Sequence, residues 1–113
     1  MTTSKDIGNR GEEIASIYLK QQGYTIIDRN WLTRWCEIDI IALKDNTAFL
    51  VEVKYRSNTA HGTGFDYITP KKIRQMQFAA ELWATRQKND IDIVLAAMSV
   101  DGNTESVEFI EIV

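Results

Sequence analysis

The chain has one cysteine, one proline, no apolar run longer than the six residues from Ile93 to Met98, and no lysine or arginine after residue 88. A single cysteine can form neither an internal disulfide nor a zinc cluster, which excludes a disulfide-stapled or zinc-finger scaffold. A six-residue apolar run is far short of the roughly 20 residues that span a bilayer, so no membrane helix is expected. Met1-Thr2-Thr3-Ser4-Lys5-Asp6 shows neither a basic stretch feeding an apolar segment nor a small-residue cleavage site. A cytoplasmic protein without a membrane partner is the expectation.

The 113 residues are 44% hydrophobic and 26% charged, the balance of an ordinary globular chain. A chain of this size buries roughly two thirds of its unfolded surface, enough for one core and one domain over residues 1–113. The formal charge of -3 argues at first against a phosphate-bearing partner. Charge is unevenly spread, however. Residues 52–90 hold seven basic against four acidic side chains, and residues 91–113 hold none against five. Local field rather than net charge decides what a ligand meets, so a basic face remains open to the fold.

Helical spacing of Ile7, Gly11, Ile14, Ala15, Tyr18 and Leu19 predicts a helix from Ser4, as cap, to Gln22, with Gly23 suited to the left-handed residue that ends it. Tyr24 to Asp28 reads as a strand, and Arg29 to Trp35 as strand or loop. Glu37–Leu43 and Ala48–Tyr55 are rich in Ile, Val, Leu and Phe around a polar Lys44-Asp45-Asn46-Thr47, a hairpin signal. After a loop from Asn58 to Thr69, Thr69-Pro70 should start a second helix running to about Gln87 with Ile73, Met76, Ala80 and Trp83 buried. Strands Ile91–Val100 and Ser106–Ile112 follow, joined by a turn at Asp101-Gly102-Asn103. The predicted class is α/β, in the order α-β-β-β-α-β-β.

A two-residue turn at Asp45-Asn46 pairs residues whose numbers sum to 91, so Asp39 faces Glu52 and Glu37 faces Lys54. One face of that hairpin holds Ile38, Ile40, Ala42, Phe49, Val51 and Val53 and suits packing under a helix. The other becomes charged away from the turn. Opposed carboxylates with Cβ atoms about 5 Å apart destabilise a sheet unless a cation or shared proton joins them. Mg²⁺, commonly held by one or two carboxylates with water and phosphate, meets that need. With Lys54 on the same face, Asp39 and Glu52 would form a phosphodiesterase constellation. The plain alternative is a Glu37–Lys54 surface ion pair beside two solvated acids.

Gly8-Asn9-Arg10-Gly11-Glu12, Ala15, Tyr18-Leu19, Gly23-Tyr24, Arg29-Asn30, Glu37-Ile38-Asp39, Ile41-Ala42, Val51-Glu52-Val53-Lys54, Arg56 and Thr69-Pro70-Lys71-Lys72 together resemble the YraN-like family of bacterial proteins over nearly the whole chain. That family is similar in turn to the PD-(D/E)XK nuclease superfamily, especially archaeal Holliday junction resolvases. The resemblance implies a restriction-endonuclease-like fold, a mixed central sheet flanked by helices. Asp39 matches the motif aspartate, Glu52 and Lys54 the E-x-K of the next strand, and Glu12 the helix glutamate that often completes such sites. It therefore implies catalytic roles for Glu12, Asp39, Glu52 and Lys54, with Mg²⁺ or Mn²⁺ on Asp39 and Glu52. Ile38 stands where the superfamily commonly has proline. Cys36 stands at the family's usual glycine, which would bring strain if a positive φ or a close approach were needed there.

Arg56, just after the expected site strand, and Lys71, Lys72 and Arg74, in the first turn of the second helix where cations invite an external anion, are candidates for nucleic-acid phosphate contacts; as single residues they also read as ordinary surface solubilisers. Trp31 and Trp35 could stack on bases but are expected to pack against the first helix. Trp83 falls on the core stripe. His61 lies in a loop too short for a phosphate-binding fingerprint. The acidic neighbour Glu37 should raise the Cys36 thiol pKa, which argues against a nucleophile.

Two functions compete. One is a metal-dependent endonuclease hydrolysing phosphodiester bonds in nucleic acid, expected to be DNA, with branched DNA as one candidate form. The alternative is a non-catalytic nucleic-acid-binding or adaptor module with the same fold. A homodimer is compatible with the resemblance to junction resolvases.

Overall fold

The computed structural model describes residues 4–56 and 64–112, with side chains of the first helix described from residue 9. His61 and the side chains of Ser4 and Ile7 lie outside the described residues. Seven elements follow one another: α1 (Ser4–Gln21), β1 (Thr25–Leu32), β2 (Glu37–Lys44), β3 (Thr47–Arg56), α2 (Pro70–Thr85), β4 (Asp92–Asp101) and β5 (Val107–Glu111). The strands form one mixed sheet in the order β1-β2-β3-β4-β5, antiparallel throughout except for β3 against β4. Element order and sheet type are those the sequence predicts. No helix is long and apolar enough to cross a membrane among the described residues.

Element ends follow their local chemistry. Gly23 takes φ +93°, and the amides of Gly23 and Tyr24 reach back to the carbonyls of Lys20 and Leu19 at 3.1 and 2.9 Å. These two bonds satisfy terminal carbonyls of α1, so β1 starts one residue after the expected Tyr24. Thr69 caps α2 by accepting the Lys72 amide at 3.1 Å, and Pro70 occupies the first helical position. Arg29 to Leu32 belong to β1. The turn after them is held by the Thr33 hydroxyl, which accepts the Trp35 and Cys36 amides and donates to the Cys36 carbonyl.

Asp45 and Asn46 both have positive φ, 52° and 60°, the geometry of a two-residue type I′ turn. It sets the predicted register from Lys44–Thr47 to Ile40–Val51. There the β2–β3 ladder stops, and the expected pairs Asp39–Glu52 and Glu37–Lys54 do not form. The cause is a side chain: Asp39 Oδ2 accepts the Val53 amide at 2.7 Å. On the other flank, Asn30 of β1 adopts φ 55° between the pairs Arg29–Ile40 and Trp31–Ile38. Asparagine is among the few residues that visit this left-handed region readily.

Alternation along the strands buries both faces of the sheet. Under α1, Ala15 and Leu19 pack with Ile40, Ala42, Val51, Ala96, Met98 and Val100. Under α2, Met76, Ala79 and Trp83 pack with Ile38, Ile41, Ala48, Leu50 and Leu95. Ile38 thus lies on the α2 face, not beside Ile40 as strict alternation requires, because the distortion at Asp39 breaks the two-residue period. Trp31 and Trp35 also correct an expectation. Trp31 packs against the α2 cluster, and Trp35 stacks on Phe78 of α2 with ring centroids 5.6 Å apart, so neither rests on the first helix. Cys36 is not among the positive-φ residues, which removes the backbone strain expected at that position.

Gly11 explains how closely α1 approaches the sheet. A Cβ added there would lie 2.5 Å from the Cβ of Tyr55, an atom that cannot swing aside without β3 moving. Gly11→Ala should therefore force α1 off β3. The expected cost is about 1–3 kcal/mol of overpacking. In a thermal melt this lowers Tm by about 5 °C or more; an unchanged Tm would show that the two elements are not in such close contact.

Candidate functional site

The gap opened at Asp39 is where acidic side chains from different elements meet. One carboxylate oxygen each from Glu12 of α1, Glu37 of β2 and Asp39 of β2 lie within 4.8 Å of one another. Gly11 lets α1 come down on β3, and the next residue in the helix, Glu12, is carried to the sheet edge of this gap. Asn30 donates to Glu12 Oε1 at 2.7 Å, and the Arg29 guanidinium lies 3.8 Å from the same oxygen while bonding Glu13 at 2.9 Å. The left-handed Asn30 thus also positions a carboxylate of the group.

Asp39 is 8% exposed. Burial, then the charges of Glu52, Glu12 and Glu37, push its carboxyl up to about 8, opposed only in part by the hydrogen bond from Val53. Glu52 is also raised, first by burial, with Lys72 acting against the shift. Its Oε2 lies 3.2 Å from the Lys72 ammonium, an ion pair rather than a well-aligned hydrogen bond. Glu52 therefore neighbours the three-carboxylate group without belonging to it.

Of the residues singled out from the sequence, Glu12, Asp39 and Glu52 converge here. Lys54 is exposed, two residues along β3 from Glu52, and contributes a weak favourable field to that carboxylate. Lys72 faces inward to Glu52 rather than outward to a ligand. Arg56 pairs with Asp66 and lies over the Tyr67 ring at 5.7 Å. Lys71 and Arg74 are exposed on the first turns of α2, and no ion pair among the described residues involves them.

Two residues went unrecognised. Glu37 reads in sequence as the partner of Lys54, but joins Glu12 and Asp39 instead. Tyr67, in the segment before α2, donates to the Met98 carbonyl at 2.9 Å and reaches the Glu52 carbonyl at 3.5 Å, bracing β3 and β4 beside the site. Burial and the charges of Glu52 and Asp39 raise its phenol well above the ordinary value. No local pattern announces such a contact. The Cys36 thiol is also raised, chiefly by burial, with Lys72 lowering and Glu52 raising it; it lies at the margin of the site as a neutral thiol.

Fold and site together define an α/β domain with an acidic cluster at a broken hairpin ladder. The model of the family described as Uncharacterised protein family UPF0102 matches residues 11–111, and the chain belongs to this family. This agrees with the YraN-like resemblance. A UPF0102 protein of Vibrio parahaemolyticus is 33% identical over 111 residues, covering 96% of this chain and 92% of the relative. Another, of Flavobacterium johnsoniae, is 34% identical over 110 residues, covering 94% and 89%. One of Clavibacter michiganensis is 41% identical over 83 residues, covering 74% and 70%.

A carboxyl whose folded pKa is raised binds a proton that the unfolded chain has already lost, so its stabilising contribution is full below about pH 4 and is lost as pH rises through about 8. Asp39→Asn keeps an oxygen for the Val53 amide and removes the titration. In EDTA it should raise Tm at pH 8 by about 5 °C or more, with a markedly smaller gain at pH 5. Equal gains at both pH values would contradict the raised pKa.

Proposed function

We propose that the protein is a divalent-metal-dependent endonuclease that hydrolyses phosphodiester bonds in nucleic acid, with DNA as its substrate. The observation that carries this reading is the convergence of three acidic side chains, Glu12, Glu37 and Asp39, the last of them buried and held near its neutral form. Such a donor set is all hard oxygen, which suits Mg²⁺ or Mn²⁺ rather than a thiolate- or imidazole-seeking metal. A bound ion would stabilise Asp39 as a carboxylate, and would supply polarisation of a phosphoryl oxygen and a lowered pKa for coordinated water. Asp39, Glu12 and Glu37 are the residues that would hold it, with Glu52 adjacent. Lys54 supplies positive charge on the Glu52 face of β3, where negative charge would develop on a reacting phosphate. Lys71 and Arg74 offer nearby phosphate contacts.

The Glu52–Lys72 ion pair favours a second reading, a non-catalytic nucleic-acid-binding module, because this carboxylate already has an internal cation. Metal dependence separates the two. For the endonuclease, Mn²⁺ at about 100 times its Kd should stabilise the wild type by about 2.7 kcal/mol, and Asp39→Asn should abolish the shift. Cleavage of branched and linear DNA with Mg²⁺ or Mn²⁺ should fall by about 100-fold or more in Asp39→Asn and in Lys54→Ala. Salt-sensitive DNA binding with no metal-induced shift and no cleavage would replace the endonuclease with the binding module.

A further inference from the structure

Beside the acidic site, α2 presents a surface that the core does not use. Lys71, Arg74 and Phe78 follow one another at spacings of three and four residues and so share one helical face. That face is turned away from Met76, Ala79 and Trp83 in the core. Phe78 is 47% exposed, which is unusual for a phenylalanine on an otherwise polar stripe. The Trp35 ring from the β1–β2 turn stacks on it at 5.6 Å and 26°, and the Arg34 guanidinium lies 5.6 Å from the centroid of Trp35. Arg34, Lys71 and Arg74 make no ion pair among the described residues. Glu81 lies one turn beyond Phe78, at the end of the stripe away from Lys71. The stripe also adjoins the site. Lys72, next to Lys71, forms an ion pair with Glu52, and Cys36, next to Trp35, lies close enough to Lys72, Glu52 and Asp39 to feel their charges.

The geometry points to a docking track for a single-stranded segment of nucleic acid, with bases stacking on the Trp35–Phe78 shelf and phosphates following Arg34, Lys71 and Arg74. Duplex bases are already stacked on one another and cannot use an aromatic shelf, whereas unpaired bases of any sequence can. An exposed phenylalanine stacked with a half-buried tryptophan and rimmed by cations that make no ion pair among the described residues suits a ligand with flat apolar faces and a negative backbone. From Lys72 to Phe78 the helix rises about 9 Å, the length of two or three stacked nucleotides. The track would thus place an unpaired segment a few nucleotides from the acidic group. This inference rests on the reading that the neighbouring site acts on nucleic acid and names the form of substrate it takes.

The test is anisotropy of labelled oligothymidine and of a blunt duplex, measured on the full chain in EDTA so that neither metal nor cleavage enters. Oligothymidine should bind more tightly than the duplex. Trp35→Leu with Phe78→Leu, which keeps an apolar contact at the turn, should weaken oligothymidine by about 10-fold or more and leave duplex binding little changed. Arg34→Ala with Lys71→Ala and Arg74→Ala should weaken both ligands and flatten the salt dependence. Equal affinity for the two ligands, or single-strand binding indifferent to the leucine pair, would overturn the track even if Mn²⁺-dependent cleavage is present. A concentration-dependent dimer that Phe78→Glu dissociates, without oligothymidine binding, would assign the shelf to a second copy and overturn it as well. Single-strand preference lost in the leucine pair but present in Asp39→Asn would support the track even if no cleavage is found.

Discussion

The hydrogen bond from the Val53 amide to the Asp39 carboxyl group organises the end of the sheet that carries the acidic cluster. In a regular antiparallel pair that amide would be satisfied by backbone of the neighbouring strand. Here a side chain takes its place, and the ladder ends at Ile40–Val51. Three consequences follow from one bond. Ile38 turns to the α2 face, β2 and β3 part, and a carboxylate is fixed in a place where water is largely excluded. The penalty is visible in the raised proton affinity of Asp39. The acids gathered around it, Glu52, Glu12 and Glu37, add to that penalty.

The surrounding charges are arranged in pairs across elements. Arg29 of β1 faces Glu12 and Glu13 of α1, while Lys72 of α2 faces Glu52 of β3. Both helices are thereby tied electrostatically to the sheet next to the gap. Cations turned inward balance acids of the site, whereas Arg34, Lys71 and Arg74 remain turned outward. A net charge of -3 describes neither population.

Much of the fold is legible in the chain because its signals are local. Thr69-Pro70, Gly23 and Asp45-Asn46 each dictate a backbone conformation, and the register of the hairpin follows from the turn. Extrapolating that register fails at Asp39, since a period of two assumes that backbone bonds to backbone. Glu12, Asp39 and Glu52 are singled out through the family resemblance, and the fold brings their side chains into one neighbourhood. Glu37 is not, because its place depends on the lost pairing. The packing of Trp31 and Trp35 on the α2 side is not legible in the chain, because the direction in which the Thr33 turn wraps is a tertiary property. The place of Tyr67 is illegible for a similar reason: its partners, Met98 and Glu52, are distant in sequence.

The parallel pairing of β3 with β4 has a consequence for how the molecule forms. Every pair in that ladder joins residues 45 apart in sequence, with α2 between the strands, whereas the pairings among β1, β2 and β3 join only strands adjacent in sequence. Contacts of long separation form late, since loop closure precedes their gain. Until β4 docks, β3 offers an unpaired edge through Ala48-Phe49-Leu50-Val51, the most apolar part of the strand. The native edges are better guarded, β1 by an irregularity at Ile27 and β5 by its shortness and by Glu108 and Glu111. The strand that covers this apolar edge in the native sheet, β4, comes from the C-terminal segment that carries no basic residue.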